Sequence, residues 1–255
     1  MLQQTQVARV LPKYEAFLAR LPTPAACAST SVGEVVRLWA GLGYNRRAVN
    51  LHRCAQQVVD EHGGRLPDEL GALQALPGIG PYTARAVLAF AFERDVGVLD
   101  TNAARVHARR AGRPLKAKEA QELADAAVPA GQGWAWNQAM LDLGATVCRA
   151  RTAACAECPV TLGCTWFEAG GATEDPAGGS AFVSGPQSTF AGSDREGRGR
   201  LVHALRAGVV PRSEAAAVAG WPDDPERAER IVVGLLGDGL VEEAGQDLCL
   251  PGGSP

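Results

Sequence analysis

Lysine is almost missing from this chain: three residues, Lys13, Lys116 and Lys118, stand against twenty-two arginines. Chemistry that runs through a lysine amine therefore has few positions from which to act. Aromatic residues are scarce at 5%. No apolar run approaches the roughly 18 residues of a membrane span; the longest candidate, Ala86–Phe92, is short. The opening MLQQTQVARV is polar and has no secretory apolar region, so a cytoplasmic chain with no membrane partner is expected. No stretch alternates apolar and polar residues for long enough to found a large sheet, and no internal repeat is visible.

What is present fits an ordinary globular protein. The 255 residues are 46% hydrophobic and 21% charged, enough for one large domain or two to three small ones. The net charge of −3 hides an asymmetry: residues 1–168 carry 18 basic and 15 acidic side chains, residues 169–255 carry 7 and 13. Seven basic residues between Arg94 and Lys118 face only Asp95 and Asp100, a candidate phosphate footprint or simply a solvated helix face.

Helical spacing joins Val35, Leu38, Trp39 and Leu42 on one face, and Leu51, Ala55, Val58 and Val59 on another. Thr83–Phe92, small and apolar after a glycine turn, reads as a central buried helix. An all-α fold of short helices is expected over residues 1–96 and 97–168. Residues 169–193, rich in Gly, Ser, Pro and Thr, read as a linker. In 194–255, helices are expected over Arg198–Ala207, Ser213–Ala219 and Pro225–Leu236. Strands Gly239–Glu243 and Gln246–Leu250 follow, making a small winged-helix-like module. Its third helix opens Asp223-Asp224-Pro225-Glu226, a poor surface for a DNA groove, so support or protein contact suits it better.

Three motifs carry chemistry. Cys148, Cys155, Cys158 and Cys164 read C-x6-C-x2-C-x5-C, while Cys27, Cys54 and Cys249 are scattered. Thiolates grouped so closely in a reducing compartment hold a metal centre rather than disulfides. Zinc sites usually come as two C-x2-4-C pairs, and only Cys155 and Cys158 are that close. The second motif is LPGIGPYTA, Leu76–Ala84, in which Gly78 and Gly80 let backbone N–H groups approach an anion at a helix N-terminus. Such a turn grips phosphate without reading sequence. The third is Asp100 in VLDTN, with Asn102 behind it, which taken alone reads as the cap of the helix that follows.

LPGIGPYTA resembles the helix-hairpin-helix motif, and the order hairpin, Asp100, cysteine loop resembles the endonuclease III superfamily of DNA glycosylases. The resemblance implies a helix-hairpin-helix glycosylase fold, an active-site role for Asp100 with Asn102 beside it, and a structural [4Fe–4S] cluster on the four cysteines. Bifunctional members carry a lysine where this chain has Tyr82, so a monofunctional, water-using enzyme is implied. MLQQTQVARVLPKYEAF, LWAGLGYNRRAVNLH and WNQAMLDLGATVC are similar to the A/G-specific adenine DNA glycosylase family, which removes adenine opposite 8-oxoguanine. The resemblance spans roughly Met1–Phe167; the C-terminal part lacks an evident Nudix-like domain and is similar to short winged-helix tails of some actinobacterial members. It implies a wedge into the base stack at Gln4, an aromatic beside the oxidised guanine at Tyr44, pocket walls at Leu2 and Val7, and hydrogen bonds to adenine from Gln138. Asn45 departs from the second Tyr common in the family. The implied partner is double-stranded DNA with an A:8-oxoguanine or A:G mispair, bound by a monomer.

The family's general acid is a Glu two residues before the position of Met1. The expectation is that Met1 is an internal methionine and the true start lies upstream, which the upstream reading frame decides. If the chain starts at Met1, lesion binding with little adenine release is expected, because a lost general acid costs on the order of 10²–10⁴ in rate. Two alternatives stand beside this reading: an endonuclease III-like glycosylase with lyase activity, and a non-catalytic DNA binder or iron–sulfur winged-helix regulator.

Overall fold

Two of the short helices begin where a side chain satisfies one of the first free N–H groups. Thr23 accepts from Ala26 N at the start of α2 (Pro24–Ser29), and Ser31 from Glu34 N at the start of α3 (Val32–Leu38). The computed structural model describes residues 1–3, 5–171, 174–183 and 188–252. The chain divides into two compact units, one of Met1–Pro67, Leu76–Gly78 and Ser188–Pro255, the other of Asp68–Ala75 and Ile79–Gln187.

The first unit joins both ends of the chain. From the N-terminal side come α1 (Val7–Arg20), α2, α3 and α4 (Arg46–His62), the last ended by Gly63 in the left-handed region. From the C-terminal side come α11 (Asp194–Ala207), α12 (Ala215–Ala219) and α13 (Pro225–Gly237). With them stands an antiparallel sheet of β1 (Val210–Pro211), β2 (Glu242–Ala244) and β3 (Asp247–Cys249), in the order β1-β3-β2. The expected hairpin is there, turning through Gly245 at φ 67° with Glu243 opposite Leu248. Strand β1, only two residues long and opposite β3, has no sequence signal.

One continuous core holds these pieces together. Val10, Phe17, Val35, Val36, Trp39 and Val49 pack with Leu201, Leu205, Ile231, Leu235, Leu248 and Leu250. The acidic C-terminal module is therefore part of the first unit's interior, not a tethered appendage. Its last turn docks through Gly33, whose N–H donates to Pro251 O at 2.8 Å.

The second unit holds α5 (Leu70–Ala75), α6 (Pro81–Ala91), α7 (Thr101–Ala111), α8 (Ala117–Ala127), α9 (Gly133–Asp142) and α10 (Thr165–Glu168). Helix α6 matches the expected central helix, with Ala84, Leu88 and Ala89 buried. A small core gathers around Leu99, Ala104, Ala108, Leu115 and Ala124. Residues in the Gly- and Ser-rich stretch are tied to it: Ser180 Oγ accepts from Leu115 N, and Asp175 pairs with the buried Arg109. Among the described residues, no helix is long and apolar enough to cross a membrane.

Candidate functional site

Asp100 is the N-cap of α7, as its position before TNAAR allows. Its Oδ1 accepts from Asn102 N at 2.8 Å and Ala103 N at 2.7 Å, satisfying two of the helix's free donors. Oδ2 takes a 3.1 Å bond from Asn102 Nδ2. The capping reading of this residue is borne out, and the cap fixes a half-buried carboxylate in one orientation. Tyr82, in the first turn of α6 and 43% exposed, belongs to the same surroundings. Burial first, and the charge of Asp100 second, push its phenol above the ordinary range.

From Asp100 a chain of bonds runs to the cysteine loop. Asn102 Oδ1 accepts from Arg105 Nη2 at 2.9 Å, and Arg105 also donates to Gly144 O and, from Nε, to Cys148 O at 2.8 Å. Gly144 has no room for a side chain, since a Cβ there would lie 2.7 Å from Asn102 Cβ. One turn further along α7, Arg109 donates to Cys148 Sγ at 3.3 Å, to Arg149 O and Ala150 O, and to Asp175. Burial opposes its charge, but Asp175 and Cys148 outweigh burial and raise its pKa. These two arginines, 5% and 3% exposed, are the residues that sequence reasoning missed. The marked preference for Arg over Lys was the available signal, because a planar fork can serve several carbonyls at once.

The four cysteines line one pocket together with Val106, Arg109, Val147, Val160 and Trp166. Cys148 follows a single π-turn, Leu143–Val147, and its N–H reaches back to Leu143 O at 2.7 Å. Cys155 opens a 3₁₀ turn and Cys164 precedes α10. All four are half-buried and unpaired. The Cys155 thiol is raised by burial first, then by Cys148, Cys158 and Cys164. Four thiolates that repel one another need a cationic centre to ionise together. Among the described residues, no three His, Cys, Asp or Glu side chains form a group able to hold a single metal ion. The other three cysteines are buried in the first unit, where desolvation chiefly pushes Cys27 up to about 11, as expected of inert core thiols.

Of the remaining predicted positions, Gln138 on α9 turns its amide onto Asp142 Oδ1 at 3.1 Å, one turn along the same helix. Gly78 has φ 77°, and a Cβ there would meet Asn50 Cβ at 2.7 Å, so a bare backbone is required. Gly80 has nothing within 4 Å of a would-be Cβ. Leu2, Val7 and Tyr44 are exposed in the first unit. Gln4 lies outside the described residues.

Tyr44 sits in a turn, Gly41–Tyr44, held from within. Gly41 and Gly43 take φ 87° and 70°, and Tyr44 itself takes φ 45°, a left-handed conformation that costs a non-glycine residue about 1 kcal/mol or more. Trp39 Nε1 donates to Gly43 O at 3.1 Å. Arg47 donates to Leu42 O, Gly43 O and Thr5 Oγ1, and to Met1 O and Gln3 O, while lying over the Trp39 and Tyr44 rings. A single guanidinium thus organises both the N-terminal segment and this turn.

Known proteins agree with the class this architecture defines. The model for the HhH-GPD superfamily base excision DNA repair proteins matches residues 1–132. An adenine DNA glycosylase of Mycolicibacterium smegmatis is 40% identical over 247 residues, covering 95% of this chain and 82% of that protein. The adenine DNA glycosylase of Mycobacterium tuberculosis is 39% identical over 249 residues, covering 94% and 79%. The human adenine DNA glycosylase is 43% identical over 175 residues, covering 64% of this chain and 31% of its own. Among solved structures, a thermostable thymine-DNA glycosylase superposes with TM-score 0.60 at 28% identity, covering 66% of this chain and 80% of that one. An endonuclease III–DNA complex shares the fold at TM-score 0.58 and 22% identity, with coverage of 67% and 81%.

The fold and the relatives define a DNA glycosylase. The chain belongs to the HhH-GPD superfamily of base excision DNA repair proteins and, within it, to the adenine DNA glycosylase family.

Proposed function

We propose that the protein hydrolyses the N-glycosidic bond of adenine mispaired with 8-oxoguanine or guanine in double-stranded DNA, as a monomer acting in the reducing cytoplasm. The observation that carries this reading is the Asp100 carboxylate, fixed by α7's N-terminus and by Asn102, with Tyr82 where lyases carry an amine. Adenine takes up a proton at N7 as its bond to C1′ breaks, water delivers hydroxide to the oxocarbenium-like sugar, and the proton which that water gives up balances the one gained at N7. Asp100 stabilises the positive charge that develops on that sugar. Adenine is flipped out of the duplex, with Leu2 and Val7 as apolar walls; Gln4 fills the stack, and Tyr44 packs beside the oxidised guanine. Gly78 and Gly80 hold a DNA phosphate on the hairpin backbone.

Cys148, Cys155, Cys158 and Cys164 would hold a [4Fe–4S] cluster, and the mutual repulsion of their thiols favours a cationic core there. When bound, that cluster supplies a structural cross-link of the loop. Arg105 and Arg109 then carry the loop's position to Asn102 and Asp100.

Single-turnover assays of the full-length protein on an A:8-oxoguanine duplex test the proposal. In a protein that carries the family's general acid, adenine release without a borohydride-trapped DNA adduct is expected, and Asp100→Asn should slow release by about 10²- to 10⁴-fold. A trapped adduct, or an Asp100→Asn variant as fast as the parent, would overturn it.

A further inference from the structure

The C-terminal module has no part in the chemistry above, yet one of its side chains reaches the turn that presents Tyr44. Arg206, in the last turn of α11, donates from Nε to Val36 O at 3.1 Å and from Nη2 to Asn45 Oδ1 at 2.9 Å. Val36 O is among the last four carbonyls of α3, which no later N–H of that helix is placed to satisfy. Asn45 is the N-cap of α4. The two anchors stand on either side of the turn in sequence, Val36 within the helix that leads to it and Asn45 directly after Tyr44. A second contact lies alongside: Asp238, just past α13, pairs with Arg46 and with Arg198.

We propose that Arg206 is a positioning residue for lesion recognition, acting through Val36 and Asn45 to hold Tyr44 in its left-handed conformation. The proposal rests on the reading of Tyr44 as the residue beside 8-oxoguanine. A strained residue persists only where its surroundings over-determine it. Arg47 and Trp39 constrain the turn from inside; Arg206 ties the helix before it to the residue after it, from a segment about 160 residues away in sequence. Asn45 belongs to this device. Its short amide accepts the guanidinium, which a tyrosine ring at that position could not do through an amide oxygen. The module thus takes part in reading the lesion without touching DNA, consistent with the acidic start of its third helix.

Binding measured on duplexes bearing a non-cleavable 2′-fluoro-adenosine opposite 8-oxoguanine or guanine provides the test, with thermal melts alongside. Arg206→Met keeps the apolar stem and removes both donors. It should cut the preference for 8-oxoguanine over guanine about tenfold, the scale of charge-assisted bonds lost at a strained turn. Affinity for the guanine duplex and Tm should change little. Asn45→Ala, which leaves Arg206 and the core intact, should lower the same preference if Arg206→Met does not fold. Arg206→Lys, with one point of charge, should restore part of it. In a Tyr44→Ala background neither Arg206→Met nor Asn45→Ala should lower it further.

An unchanged preference in Arg206→Met and Asn45→Ala overturns the proposal. So does an equal loss of affinity for both duplexes, or a further loss in the Tyr44→Ala background. If Tyr44→Ala alone leaves the preference intact, the reading of Tyr44 has failed and the role of Arg206 fails with it, a result distinct from those others.

Discussion

At the scale of the residue, Tyr82 decides between two chemistries. A lysine there would place an amine within the influence of the Asp100 charge that already acts on the Tyr82 phenol. The phenol offers no nitrogen and is held protonated by burial and by that same carboxylate. Tyr82→Lys should therefore introduce a borohydride-trappable adduct with abasic DNA that the parent lacks, visible as a retarded band on a denaturing gel. The absence of any such band would mean that the geometry around Asp100 does not suit an amine. Asp100 shows why residue roles read from sequence stay ambiguous. VLDTN taken alone signals a cap, and the catalytic role proposed above asks for the same carboxylate at the same helix start.

At the scale of the element, α7 connects Asp100 to the cysteine loop. Asp100 caps it, Arg105 and Arg109 bind the backbone around Cys148, and His107 lies between them. Burial, then Arg110, holds the His107 imidazole down to about 4. The unfolded chain takes up that proton near pH 6.5, so acid favours unfolding. The neutral histidine's contribution is complete above pH 6.5 and is lost as pH falls toward 4. Between pH 6.5 and 5 the loss amounts to on the order of 2 kcal/mol. His107→Gln should flatten this part of the pH–stability curve, as urea melts at pH 7 and pH 5 would show. An identical slope in parent and variant would place the acid sensitivity elsewhere.

The elements themselves were largely legible. Leu201, Leu205, Ile231 and Leu235 follow helical spacing, Gly245 marks the hairpin, and the four cysteines are grouped within seventeen residues. Each is a local signal. What escaped the sequence is long-range and made by guanidinium groups: Arg206 to Val36, Arg109 to Asp175, Arg105 to Cys148. An arginine on a helix reads as a solvated charge until the carbonyls it serves are known. Nor could spacing place Tyr44 at positive φ, because the residue type argues against it.

At the scale of the whole molecule, the first unit's core draws on both ends of the chain, with the second unit's residues inserted between them in sequence. The C-terminal module is a structural partner of α1–α4, and Gly33 is a sensitive point of that partnership. A Cβ there would stand 2.7 Å from Pro251 O and 3.1 Å from Leu250 Cβ. Alanine would gain up to about 1 kcal/mol in helix propensity, but the clash falls on backbone and on a buried leucine, where overpacking costs about 1–3 kcal/mol. Gly33→Ala should therefore lower Tm by several degrees, and a raised Tm would show that the last turn yields freely.

That shared interior has a consequence during synthesis. Val35, Val49 and Phe17 leave the ribosome long before Leu248 and Leu250, which cover the same interior. Helices α1–α4 must wait with apolar faces uncovered while the second unit is translated, exposed to chaperones and to one another on crowded polysomes.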